Sequence, residues 1–179
     1  MLKTITLFAS LLIASFAIAQ SYTPADNGSS VKFVIKNLGF NVDGSFTGLR
    51  GSINYVPDNP TVSTFNVSVD ANSVNTGNGK RDTHLKKDEY FDAAKYSTLH
   101  FISYKITKSA SGELAVTGII TIKGVSKEIN FPFTVTQQEG GIVLKGSFKL
   151  NRRDFNVGGS SMVLSDNLVV DLVIFGKKK

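Results

Sequence analysis

A chain of 179 residues without a single cysteine carries no disulfide framework and no thiol for lipid attachment behind a leader. Its formal charge of +6 falls to +5 if Lys3 leaves with a leader, and part of the excess is the terminal Lys177-Lys178-Lys179, read most simply as a solvated end. The other lysines stand singly along alternating segments without interleaved aromatics, which argues against a nucleic-acid partner.

Residues 1–19 read as a signal peptide. Lys3 supplies a positive start, Ile5 to Ile18 is an almost unbroken apolar run, and Ala17-Ile18-Ala19 is the small-x-small pattern cut by a signal peptidase. The apolar run is shorter than the roughly 20 residues a membrane span needs. Cleavage after Ala19 is therefore expected, with export to the periplasm and one domain over residues 20–179, undivided by any proline- or glycine-rich linker.

The mature part alternates like sheet. Val31, Phe33 and Ile35 share one face of a first strand, and Phe40, Val42, Gly44 and Phe46 carry the alternation on. Leu49, Gly51, Ile53 and Tyr55 then lie at odd positions, so a bulge near Thr47-Gly48 must switch the inward parity. Pro57-Asp58-Asn59-Pro60 is a turn by composition, and Phe65, Val67 and Val69 mark the next strand, Thr64 to Asp70. Further strands are expected over residues 99–106, 113–123, 127–136, 142–150 and 168–175. Eight strands with short connections, save at an insert of residues 76–92 and at residues 151–167, predict an all-β protein whose antiparallel sheet closes into a barrel, with a sandwich as the alternative.

The one segment without strand alternation is Thr76 to Asp92, TGNGKRDTHLKKDEYFD. Gly77 and Gly79 break the preceding strand, Asn78 is a capping residue, and Arg81 to Lys87 lacks proline and β-branched runs, so a short helical insert is expected. Leu85, Tyr90 and Phe91 give it an apolar side to lay across the mouth or flank of the barrel.

Catalytic signatures are missing: the sequence contains no G-x-S-x-G, H-E-x-x-H, Walker or G-x-G-x-x-G pattern, and its two histidines, His84 and His100, are too few for a typical zinc site. No metal, cofactor or catalytic residue is assigned. Arg81-Asp82, His84 and Arg152-Arg153-Asp154 are read as a polar rim facing a ligand head group or as pins holding the insert and the last long loop. The pin reading is preferred, because an Arg–Asp pair satisfies both groups without a ligand. Of thirteen phenylalanines, Phe8 and Phe16 belong to the leader; Phe33, Phe46, Phe65, Phe101, Phe131, Phe133 and Phe148 are assigned to inward strand faces and Phe91 to the insert. All of these but Phe133 are the seven candidates for the lining of an apolar pocket, with Gly44, Gly118 and Gly146 expected to leave the space for it.

Thr76-Gly77-Asn78, Arg81-Asp82-x-His84-Leu85, Tyr90-Phe91-Asp92, Phe101-x-Ser103, Val116-x-Gly118, Thr121-Ile122-Lys123-Gly124-Val125 and Arg153-Asp154-Phe155 together resemble the YceI-like family of exported lipid-binding proteins. The resemblance covers essentially the whole mature chain, departing at Ser97, where the family usually has proline. It implies an eight-stranded lipocalin-like barrel around an elongated apolar pocket for a polyisoprenoid or similar long-chain amphiphile. It implies no enzymatic activity and no cofactor; transient membrane contact fits such a cargo, and monomer and dimer stay open. A lipid-modifying enzyme using His84 and Asp82, and a structural or stress-responsive protein with an incidental cavity, are the rival readings.

Overall fold

The computed structural model describes residues 20–179; the expected leader, Met1 to Ala19, lies outside the described residues. Strands β1 (Gln20–Asn37), β2 (Phe40–Phe46), β3 (Arg50–Tyr55), β4 (Thr64–Asp70), β5 (Thr98–Lys108), β6 (Leu114–Ile122), β7 (Val125–Gln138), β8 (Gly141–Asn151) and β9 (Leu164–Lys178) pair antiparallel in sequence order. The long β1 meets β9 from Tyr22↔Lys178 to Asn37↔Leu164, which closes the sheet. β2 and β3 are one barrel strand interrupted at residues 47–49, so eight staves form the wall, and the edge left on β2 is met by Asn75 at Ser45.

The interruption lies where the parity of the apolar residues switches. Gly48 has a φ of +77°, a left-handed conformation that glycine adopts without a Cβ clash. The backbone N–H groups freed there are taken up by side chains: Asp26 accepts from Gly48 and Leu49 at 3.0 Å each, and the Ser73 hydroxyl from Thr47 at 2.8 Å. Asp26 itself stands in an irregular stretch of β1, between the Ala25 and Ser30 pairings. Two local breaks thus face one another and let the wall bend sharply.

Antiparallel order decides which connections share an end. The β1–β2 turn, the 71–97 connection, the β6–β7 turn and residues 152–163 lie at one end of the barrel; the 56–63, 109–113 and 139–140 connections lie at the other. The second end is packed shut by Tyr22, Ile53, Phe65, Val116, Phe133 and Ile142, all buried. Both long connections therefore belong to the end that is not filled.

The expected insert contains helix α1 (Gly79–Leu85), with Asn78 as its cap: the Asn78 side chain accepts from the Arg81 N–H at 3.1 Å. Its apolar side is buried against the wall, where Leu85 and Phe91 pack on Phe46, Val69 and Val74. Asn75 also bridges Ser45 of β2 through two backbone hydrogen bonds of 2.9 and 3.0 Å. Among the described residues no helix is long and apolar enough to cross a membrane.

Candidate functional site

The hollow end holds a cavity of about 440 Å³, within the range of small-molecule sites. Its wall is aliphatic and aromatic, drawn from every barrel stave and from the insert: Ile35 and Val42 near the β1–β2 turn, Leu99, Ile120 and Ile129 across the barrel, Leu168 and Val170 of β9. Val170 pairs with Phe33 on one side and Phe148 on the other, so the β1–β9 seam that closes the sheet also builds the wall.

Six of the seven candidate phenylalanines, Phe33, Phe46, Phe91, Phe101, Phe131 and Phe148, line this cavity. They form two groups. Phe46 stands between Phe33 and Phe91, with ring centroids 5.7 and 5.4 Å away, under the insert. Phe131 stands between Phe101 and Phe148, at 5.8 and 4.6 Å, and forms the floor. Below the floor is a separate space of about 60 Å³ that shares Phe101 and Phe131 with the main cavity.

Phe65 departs from the expectation. It lines only the small lower space and packs edge-on against Phe133 at 5.4 Å. Parity sets which face a residue occupies but not its height along the barrel, and Phe65 sits low, in the filled end. The glycines need a similar correction. A Cβ on Gly44 would stand 2.1 Å from the Phe33 ring, one on Gly118 2.5 Å from the Phe101 ring, and one on Gly146 3.0 Å from the Phe131 ring. Their missing side chains are slots in which neighbouring rings lie back along the wall, rather than ligand space. The open lumen is created indirectly, by rings held flat.

The charged candidates divide. Arg81 and His84 line the cavity, whereas Asp82 and Arg153 do not. Arg81 and Asp82 form no ion pair with each other; both grip Thr76 instead. The Asp82 carboxylate accepts from the Thr76 N–H (2.8 Å) and hydroxyl (2.5 Å), while Arg81 donates from Nε to that hydroxyl (2.7 Å) and from Nη2 to the Thr76 carbonyl (2.9 Å). In place of the expected ion pair, the two side chains hold Thr76 between them. An Asp82→Ala variant should melt about 2–12 °C lower, because the two Thr76 donors lose a partner worth about 1–3 kcal/mol, and should keep its affinity per folded molecule. A thermal melt beside a binding titration checks both.

His84 approaches Glu89 at 3.7 Å with both side chains about half exposed, and stacks edgewise on Tyr90. With Asp82 occupied by Thr76, the two groups of the enzyme reading do not meet. Arg153 is exposed, and no ion pair links it to Asp154. The buried arginine is its neighbour Arg152, with a side chain only 4% exposed. Arg152 donates to the carbonyls of Ser165, Val157 and Gly159, each at 2.9 Å, and to the Asp166 carboxylate at 2.6 Å. It thus ties both the 156–163 loop and the start of β9 to the end of β8. Sequence reading missed it because the Arg-Arg-Asp run falls in a 3-10 turn, where strand parity says nothing about which arginine turns inward.

Insert and loop are also tied to each other. Gly158 N–H donates to the Glu89 carbonyl at 2.9 Å, and Lys123 of the β6–β7 turn reaches the carbonyls of Glu89 (3.3 Å) and Asn156 (2.8 Å). The titratable residues along the lining are Lys32, Arg81, His84, Tyr90, His100 and Arg152; among the described residues no carboxylate joins them. No group of three or more His, Cys, Asp or Glu among the described residues could hold a metal ion.

A family model described as the YceI-like domain matches residues 22–174 of the chain. The Protein YceI of Salmonella agona is 32% identical over 162 residues, covering 84% of this chain and 83% of that protein. Among solved structures, BcnA of Burkholderia cenocepacia superimposes with a TM-score of 0.79 at 24% identity, over 85% of this chain and 98% of that one. A polyisoprenoid binding domain from Saccharophagus degradans, implicated in plant cell wall breakdown, superimposes with a TM-score of 0.71 at 19% identity, over 89% and 99%. At such identities the two structures establish the shared fold.

Proposed function

The chain belongs to the YceI-like domain family, and on that premise we propose that its barrel is a carrier or buffer for a polyisoprenoid or similar long-chain amphiphile. The observation that carries the reading is the cavity itself: about 440 Å³, walled by aliphatic and aromatic side chains, above a floor of three phenylalanines. The polyisoprenoid binding domain with the same fold supports it. Binding then rests on desolvation. Each buried methylene contributes about 0.8 kcal/mol, so ten give about 8 kcal/mol before ordering costs. The head stays at the open end near Arg81 and His84, where the lining offers cationic donors and no carboxylate.

No reaction is part of this proposal: Asp82 is held by Thr76, and His84 has no second group placed to orient it toward a reacting atom. Titration with a fluorescent prenyl probe tests the reading. Saturable one-to-one binding, competed by an unlabelled long-chain polyprenol, is expected; a linear, uncompeted signal would overturn it.

Export is proposed from the leader pattern of Met1 to Ala19. The intact mass of protein recovered from the periplasm should then correspond to a chain starting at Gln20. A recovered species that still carries Met1 would refute the cleavage and the location with it.

A further inference from the structure

A carrier whose cavity opens at one end has to bring that end to the membrane that holds its cargo, and the open end is not uniformly polar. Two segments meet there. The backbone N–H of Leu38, in the β1–β2 turn, donates to the Val163 carbonyl at 2.8 Å, and Asn37 pairs with Leu164. Asn37, Val163 and Leu164 also line the cavity, so this junction is part of its rim.

Four large apolar side chains of the junction have no partner to bury them: Leu38 is 68% exposed, Phe40 77%, Val163 about half, and Met162 fully. Singly exposed apolar residues are ordinary, but four on two touching segments form a patch. Phe40 pairs with Asn37, so it lies on the same sheet face as Phe33 and Ile35, one step beyond the lumen they line. The apolar surface therefore runs on from the cavity wall over its rim.

Leu38 is not there for the turn's sake. Leu38 and Gly39, with φ of +53° and +83°, form a two-residue hairpin loop whose first position favours Asn, Asp or Gly and disfavours a bulky side chain. The charged side chains that line the cavity and its rim, Lys32, Arg81, His84 and Arg152, include no carboxylate, and Lys36 lies two residues from Leu38; the acids of this end, among them Asp43, Asp82, Asp88, Glu89 and Asp166, stand outside the lining.

From these observations we infer that the rim formed by Leu38, Phe40, Met162 and Val163 is a membrane-docking surface, which inserts into the head-group region of an anionic bilayer and joins the cavity to the acyl phase. Apolar side chains beside lysines suit such an interface, where insertion and attraction to acidic lipids add. The inference rests on the lipid-carrier reading, since without a cargo the continuity of patch and cavity loses its purpose.

The test compares the full chain with a Leu38→Asn/Phe40→Ser/Met162→Ser variant in flotation on vesicles of phosphatidylethanolamine, with and without phosphatidylglycerol. Leu38→Asn suits the turn, and the other two side chains are exposed, so the variant should melt like the parent. Its partition onto phosphatidylglycerol vesicles should fall at least about tenfold, and transfer of a prenyl probe from those vesicles should slow with it. Uptake of the same probe dispersed in detergent should stay within about twofold. A separate Lys36→Ser variant should bind phosphatidylglycerol vesicles about fivefold more weakly and neutral ones unchanged, from about 1 kcal/mol per lysine at such a surface. Equal partition of parent and triple variant, or no partition of the parent onto either vesicle, overturns the inference; the rim would then serve a protein partner or none. Loss of detergent-dispersed uptake in the parent would strike the carrier reading instead, and this inference with it.

Discussion

Replacing Val170 with tryptophan is expected to weaken uptake of a prenyl probe about a hundredfold while leaving the barrel folded. Val170 faces the lumen between its pairing partners Phe33 and Phe148, in the middle of the cavity wall. In a close-packed interior such an enlargement forces neighbours off their rotamers and costs about 1–3 kcal/mol. Here the indole has empty space to enter, so the cost should fall below that range and the melting temperature should move by only a few degrees. The ligand loses what the indole takes. Displacing four methylenes forfeits about 3 kcal/mol, roughly a hundredfold in affinity. A folded variant that takes up the probe as well as the parent would place the binding site outside the barrel.

The second large effect is expected at Arg152, and on stability first. An Arg152→Met variant keeps the aliphatic bulk but withdraws the donors that serve Ser165, Val157, Gly159 and Asp166. Because Asp166 is half exposed, its carboxylate turns to water at little cost. The carbonyls around the guanidinium are less able to do so. A loss on the order of 3 kcal/mol follows, about 6–12 °C in melting temperature for a chain of this size. The freed 156–163 loop forms part of the cavity's rim, so probe dissociation should quicken as well. The exposed neighbour is the control: Arg153→Ala should stay within about 0.5 kcal/mol of the parent. Equal losses at the two arginines would contradict the assignment of Arg152 as the loop's anchor.

These two predictions fall where the sequence was least legible. Period-2 alternation was enough to place Phe33, Phe46, Phe101, Phe131 and Phe148 on inward faces, and the parity switch after Phe46 located the break that Gly48 makes. The insert was legible too, through its Asn78 cap and the apolar side of Leu85 and Phe91. Register was not. Without knowing that Phe33 lies opposite Gly44, or that Gly146 stands beside Phe131, an inward glycine reads as vacant space when it is a slot for a ring. Height along the barrel depends on register in the same way, which is why Phe65 went to the filled end. The aliphatic majority of the wall, Val170 among it, carries the same parity signal as the phenylalanines but stands out less from an ordinary core. Arg152 lay beyond pattern altogether, since in a 3-10 turn only the fold decides which arginine is enclosed.

Stability and uptake variants probe the wall; the cargo itself is the central claim. Protein recovered from the cells that make it, kept in its native state, is extracted with organic solvent, and the extract and the intact complex are weighed by mass spectrometry. The carrier account predicts one long-chain lipid per barrel in the parent and a much lower occupancy in Val170→Trp. Repeated extracts free of any long-chain lipid, from a folded parent protein whose barrel weighs no more than its polypeptide, would contradict it.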